Sequence, residues 1–98
     1  MEYKEIFELK RMLENADIPF EMKEHFDGYV IFYPRFGQIG KGCTCSVIEH
    51  EYSYGHDEDR LEIMGLLTEE EKKQDEVAGY LTATNVFIRI KNHYKGVK

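Results

Sequence analysis

Apolar residues recur along this chain with two different periods, and each change of period marks an element. Between residues 2 and 16, Ile6, Leu9, Leu13 and Ala16 stand three or four positions apart. Glu2, Lys4, Glu5, Glu8, Lys10, Arg11 and Glu14 lie largely elsewhere, which predicts an amphipathic helix. Asn15 and Asp17 weaken it, and Pro19 disfavours helical geometry at Ile18, so the chain is expected to turn extended there. Over residues 20–26 the period falls to two, with Phe20, Met22 and Phe26 set against Glu21, Lys23 and His25. Asp27 and Gly28 then suit the positive φ angles of a two-residue turn before YVIFY at residues 29–33. The expected hairpin has Phe26 facing Tyr29, Glu24 facing Ile31 and Met22 facing Tyr33.

Residues 34–42, PRFGQIGKG, have no apolar period and read as a loop. Residues 43–50 alternate around Val47 and Ile48, and residues 61–67 are rich in Leu, Ile and Met, which predicts a third and a fourth strand. A helix over DEDRLEIMGLL is the competing reading, and Gly65 within it favours the strand. Residues 68–76, TEEEKKQDE, are charged throughout, with Thr68 placed to cap a single helical turn in a solvated excursion. The last element is a helix with Thr82 as N-cap, Leu81 and Val86 as a hydrophobic staple, and Val86, Phe87, Ile90 and Tyr94 along one face. Lys91, His93 and Lys95 complement its dipole near the C-terminus, and Gly96 stops it. The pattern therefore predicts one α+β domain of order αββββα, a four-stranded antiparallel sheet with both helices on one face.

Composition narrows what such a domain does. With 98 residues there is room for one core and no second lobe, and 42% apolar with 33% charged residues is the balance of a folded chain with a charged surface. A net charge of -6 opposes duplex nucleic acid and anionic membrane as partners, although a single phosphorylated ligand responds to local potential. No apolar run approaches the roughly 20 residues of a membrane span, and the first residues read as helix rather than leader, so a cytoplasmic setting is expected.

The residues suited to chemistry crowd between Cys43 and Leu67. Cys43 and Cys45, one residue apart, are poorly placed for an unstrained disulfide and read as two thiols. With His50 and His56 they include zinc-ligand types, but no known spacing is present, and neither a metal nor a cofactor is expected. No cationic neighbour or helix start is evident to activate a thiol. Asp57, Glu58 and Asp59 lack apolar surroundings to keep one of them protonated, so the chain reads as non-enzymatic. Two groups suit binding instead. Arg35 and Lys41 stand in the glycine-rich loop, where cations and freed amides favour an anion. His50, Tyr52, Tyr54 and His56 offer stacking and contact surface at the turn.

The combination CSVIEHEYSYG, LEIMGLLTEEE and GYLTATNVFIRI resembles small uncharacterised proteins of bacteriophages and prophages. That resemblance implies a host-cell context in which such proteins counter defence, by sequestering a nucleotide signal or by binding a host protein. The expected function is binding of a small phosphorylated ligand, with Arg35 and Lys41 on phosphate and Tyr52 or Tyr54 on a base. The alternative is a protein-binding inhibitor using the tyrosines and acidic loops. Because the two groups fall at opposite ends of the third strand, a homodimer with two symmetric sites between subunits is expected.

Overall fold

The computed structural model describes residues 2–96. Along the chain run α1 (Glu5–Asn15), β1 (Glu21–His25), β2 (Gly28–Tyr33), β3 (Gln38–Ile39), β4 (Gly42–Cys43), β5 (Cys45–Glu49), a short 3-10 turn (His56–Glu58), β6 (Leu61–Met64), α2 (Glu69–Gln74), β7 (Val77–Leu81) and α3 (Ala83–Gly96). The main sheet is an antiparallel meander of five strands in the order β1-β2-β5-β6-β7, while β3 and β4 form a separate two-stranded parallel pair. The α+β class and the antiparallel sheet agree with the sequence. The strand count does not, because β7 was expected only as the lead-in to the last helix. Its sequence, VAGYL, carries weak strand signals, and it is extended because it pairs with the outer edge of β6.

Register puts Met22, Ile31, Val47, Ile63 and Ala78 in one row across the five strands, on the face that meets the helices. Ile6, Leu9 and Leu13 of α1 and Ala83, Val86 and Ile90 of α3 close over that face in one buried cluster. Each of the fully buried Ile, Leu and Val side chains among them stabilises the fold by about 1.5–3 kcal/mol. Tyr33, buried in the same cluster, holds the end of α3 through its hydroxyl, 2.8 Å from His93 Nδ1.

Helix ends follow local chemistry where a side chain supplies it. Thr82 Oγ1 accepts the Asn85 N–H at 3.1 Å as the expected N-cap of α3, and α2 starts with a full capping box between Thr68 and Glu71. Helix α1 starts at Glu5 without a cap from Lys4. The amides of Lys4 and Glu5 donate instead to Asp59 Oδ1, at 2.9 and 3.1 Å, across the fold.

The first hairpin departs from its expected register. His25 pairs with Gly28, Glu24 with Tyr29 and Met22 with Ile31, so Phe26 and Asp27 form the turn and Phe26 itself takes φ 56°. Gly28 serves strand packing, since a Cβ there would lie 1.9 Å from the Glu49 carbonyl oxygen. The shift moves each facing pair by two positions, which keeps Met22 on the helix side. Residues 61–64 are a strand, as preferred over the helix, and β6 ends where Gly65 and Leu66 take φ 94° and 54°. Among the described residues no helix is long and apolar enough to cross a membrane.

Candidate functional site

The glycine-rich loop is more ordered than its sequence suggests. The amides of Gly40, Lys41 and Thr44 donate to the carbonyls of Cys43, Gln38 and Tyr33, so these N–H groups close the loop on itself. Those amides are therefore engaged within the loop, and its positive charge is that of the Arg35 and Lys41 side chains. Beside the loop lies a groove of about 600 Å³ lined by Pro34, Arg35, Ile39, Gly40, Gly42, Cys43, Thr44, Gly65 and Leu66. Its far wall comes from the end of β6, where Gly65 is packed so tightly that an added Cβ would lie 2.4 Å from the Thr44 carbonyl oxygen. Arg35 is the charged residue of this lining among the described residues. Lys41 is exposed on the same loop and outside that lining.

His50, Tyr52, Tyr54 and His56 stand at the opposite end of β5. His50 is buried, and its ring meets those of His25, Phe26 and Tyr52, with centroids at 5.2, 4.9 and 6.2 Å. The Tyr52 N–H donates to His50 Nδ1 at 3.1 Å, so the neutral ring carries its proton on Nε2. Burial, then the fields of His25 and His56, push this imidazole below its ordinary pKa. Tyr52 and Tyr54 are 70% and 54% exposed, and the turn is fixed beneath Tyr54 by its N–H donating to Glu62 Oε1 at 2.8 Å. Tyr3, Asp27, Glu51, His56 and Asp57 line a cavity of about 390 Å³ at this end, which makes it anionic.

The expected site residues thus form two groups, one at each end of β5, and among the described residues the lining of the groove that holds Arg35 includes neither Tyr52 nor Tyr54. Both cysteines are free and buried on different short strands. Burial pushes the Cys45 thiol up to about 12 and raises Cys43 as well, the reverse of nucleophile activation. Among the described residues no group of three or more His, Cys, Asp or Glu is arranged to hold a metal ion.

Sequence reasoning passed over Glu49. It shares a face with Cys45 and Val47, is fully buried, and accepts the Ile6 N–H at 3.1 Å through Oε1. Burial first, then a hydrogen bond with Asp59, push it up to about 8. Its Oε2 is buried and, among the described residues, has no geometric hydrogen-bond partner, and a proton there would be the donor that the neighbouring Asp59 carboxylate favours. Burial pushes Asp59 upward too, but the hydrogen bond from Glu49 and the amides of Glu5 and Lys4 outweigh it and leave Asp59 lowered. The carboxyl pushed up to about 8 thus lies on the strand rather than in the acidic turn, and Glu49 and Asp59 together fasten the start of α1 through the amides of Ile6, Lys4 and Glu5. The alternation Cys45, Val47, Glu49 was the signal that pointed to it.

Compared with known proteins, the chain matches no family model, no curated protein sequence and no solved structure.

Proposed function

We propose that this protein is a non-enzymatic binder of a small phosphorylated ligand of nucleotide type, held in the groove beside the glycine-rich loop. One observation carries the reading: in a chain of net charge -6, this groove is lined by Arg35 and, among the described residues, by no carboxylate. A guanidinium in such a setting pairs with phosphate oxygens in a two-point geometry, and Lys41 on the same loop adds to the local potential. Pro34, Ile39 and Leu66 offer apolar wall to the rest of the ligand, the role first expected of Tyr52 and Tyr54. A groove of about 600 Å³ lies within the usual range of small-molecule sites. In the phage setting that the sequence resemblance implies, such a protein sequesters a nucleotide signal of the host cell.

A second reading, binding to a host protein, is favoured by Phe26, Tyr52 and Tyr54, which are 65%, 70% and 54% exposed beside the acids Asp27, Glu51 and Asp57. Thermal-shift screening against mononucleotides and cyclic dinucleotides separates the two. The ligand reading expects a stabiliser worth about 2.7 kcal/mol at a hundredfold excess over Kd. It expects Arg35→Ala with Lys41→Ala to abolish the shift while leaving the unliganded melting temperature unchanged. A flat screen, or a double variant that binds like the parent, overturns it; loss of a host partner on Tyr52→Ala with Tyr54→Ala then supports the second.

A further inference from the structure

Three segments distant in sequence meet at the end of β5 away from the Arg35 groove: residues 2–7 around the start of α1, the turn between β1 and β2, and residues 51–57. Between them lie two cavities of about 400 and 390 Å³, joined through Tyr3 and Asp27, which line both. The first is walled by the rings of Tyr3, Phe7 and Tyr29, with Phe7 edge-on to Tyr29 at 4.7 Å between centroids. The second adds Glu51, His56 and Asp57.

The charge of the two linings is uneven. Glu2, Asp27, Glu51 and Asp57 stand against Lys4 and the imidazole of His56, and among the described residues none of these four carboxylates is in a salt bridge. Burial, then the fields of Glu49, Glu51 and Asp27, raise the Tyr3 phenol, so the wall common to both cavities feels the negative charge. The chain's own cations that lie over rings are, among the described residues, Lys23 on Phe32 and Lys91 on Phe87, and neither ring belongs to this site.

Ring walls beside unneutralised carboxylates favour a cation with an apolar body, because ring faces attract positive charge and also cover methylene groups. A compact metal ion fits poorly. Rings offer it no oxygen, and among the described residues no three His, Cys, Asp or Glu are arranged to hold one. The carboxylates are instead strung along two cavities, which suits a ligand whose charges are spread out in the same way. A linear polyamine has that form, with ammonium groups set apart by methylene runs that lie on the rings.

We propose that Tyr3, Phe7, Tyr29 and Asp27, with Glu51 and Asp57 beyond, form a second binding site, for a linear alkylammonium cation of the polyamine class. Its lining shares no residue with the Arg35 groove, so it stands whether or not that groove takes a phosphorylated ligand. Asp27 is central because it serves both cavities. Lysine side chains of a basic protein carry the same chemistry, and the experiment separates the two sources.

Spermidine is titrated into the full chain at moderate ionic strength, followed by calorimetry and by NMR shifts. Saturable one-to-one binding is expected, with shifts at Tyr3, Phe7, Asp27 and Tyr29. Asp27→Asn, a change that a turn position tolerates, is expected to weaken binding about fivefold or more. Phe7→Leu is expected to weaken it about threefold and Phe7→Tyr to retain it, while Arg35→Ala leaves it unchanged. Magnesium at matched ionic strength is expected not to displace spermidine, whereas diffuse attraction to an acidic surface would accept either cation. A tri-lysine peptide that binds more tightly than spermidine, with the same dependence on Asp27 and Phe7, upholds the site and assigns its cation to a protein. Weaker binding of that peptide assigns it to a free polyamine. Absent or unsaturable binding of both probes, displacement by magnesium, or Asp27→Asn and Phe7→Leu variants that bind like the parent overturns the proposal.

Discussion

Arg89 on α3 and Glu71 on α2 form a two-point ion pair, Nη1 to Oε1 at 2.7 Å and Nη2 to Oε2 at 2.8 Å, and the same Nη1 donates to the Leu66 carbonyl at 3.0 Å. One guanidinium thus ties the acidic excursion and the wall of the Arg35 groove to the last helix. The hydrogen bonds from Arg89, which outweigh burial, hold Glu71 down at about 2. Its contribution is complete above the ordinary glutamate range and is lost as pH falls from about 4.5 toward 2. Glu71→Gln is expected to lower stability by about 2 kcal/mol at pH 7 and to cost little at pH 2, read from urea melts at both values. Equal losses at the two pH values would refute the assigned pairing.

Glu49 has the opposite sign. Its native pKa of about 8 lies above the unfolded value, so its favourable contribution is full below about pH 4.5 and is lost as pH rises through 8. Glu49→Gln keeps an acceptor for Ile6 N–H and a donor toward Asp59 without an ionisable proton. Stability of the parent is expected to decline from pH 5 to pH 9 by a few kcal/mol more than that of the variant. Parallel declines would show that Glu49 is ionised in the folded protein.

Gly28 tests the hairpin register. Turn chemistry alone tolerates asparagine at this position, whereas close approach to the Glu49 carbonyl oxygen, 1.9 Å from an added Cβ, tolerates no side chain. Gly28→Asn and Gly28→Ala are therefore both expected to destabilise by about 3 kcal/mol or more, measured by chemical denaturation. An asparagine variant as stable as the parent would restore the register in which Asp27 and Gly28 make the turn.

The two thiols should be inert in the folded state. With Cys45 pushed up to about 12 and Cys43 also raised, alkylation by iodoacetamide at pH 8 is expected to be slow in buffer and complete at both in urea, followed by mass. Rapid native labelling of Cys45 would contradict its burial.

The elements legible in the sequence were those set by neighbours along the chain: the apolar stripe Ile6, Leu9, Leu13, the alternation in residues 20–33 and 45–49, and the caps at Thr68 and Thr82. Each depends on three or four residues acting within one turn or one pleat, so composition and spacing suffice. Contacts between distant segments decided the rest. β7 became a strand because β6 had an open edge, and the hairpin slipped because β5 approaches Gly28 closely. Asp59 capped α1 from more than fifty residues away, and the groove arose only when residues 34–44 met Gly65 and Leu66. Arg35 and Tyr52 stood out in the sequence as candidate binding side chains, but their placement at opposite ends of β5 follows from where that strand begins and ends, which long-range pairing sets.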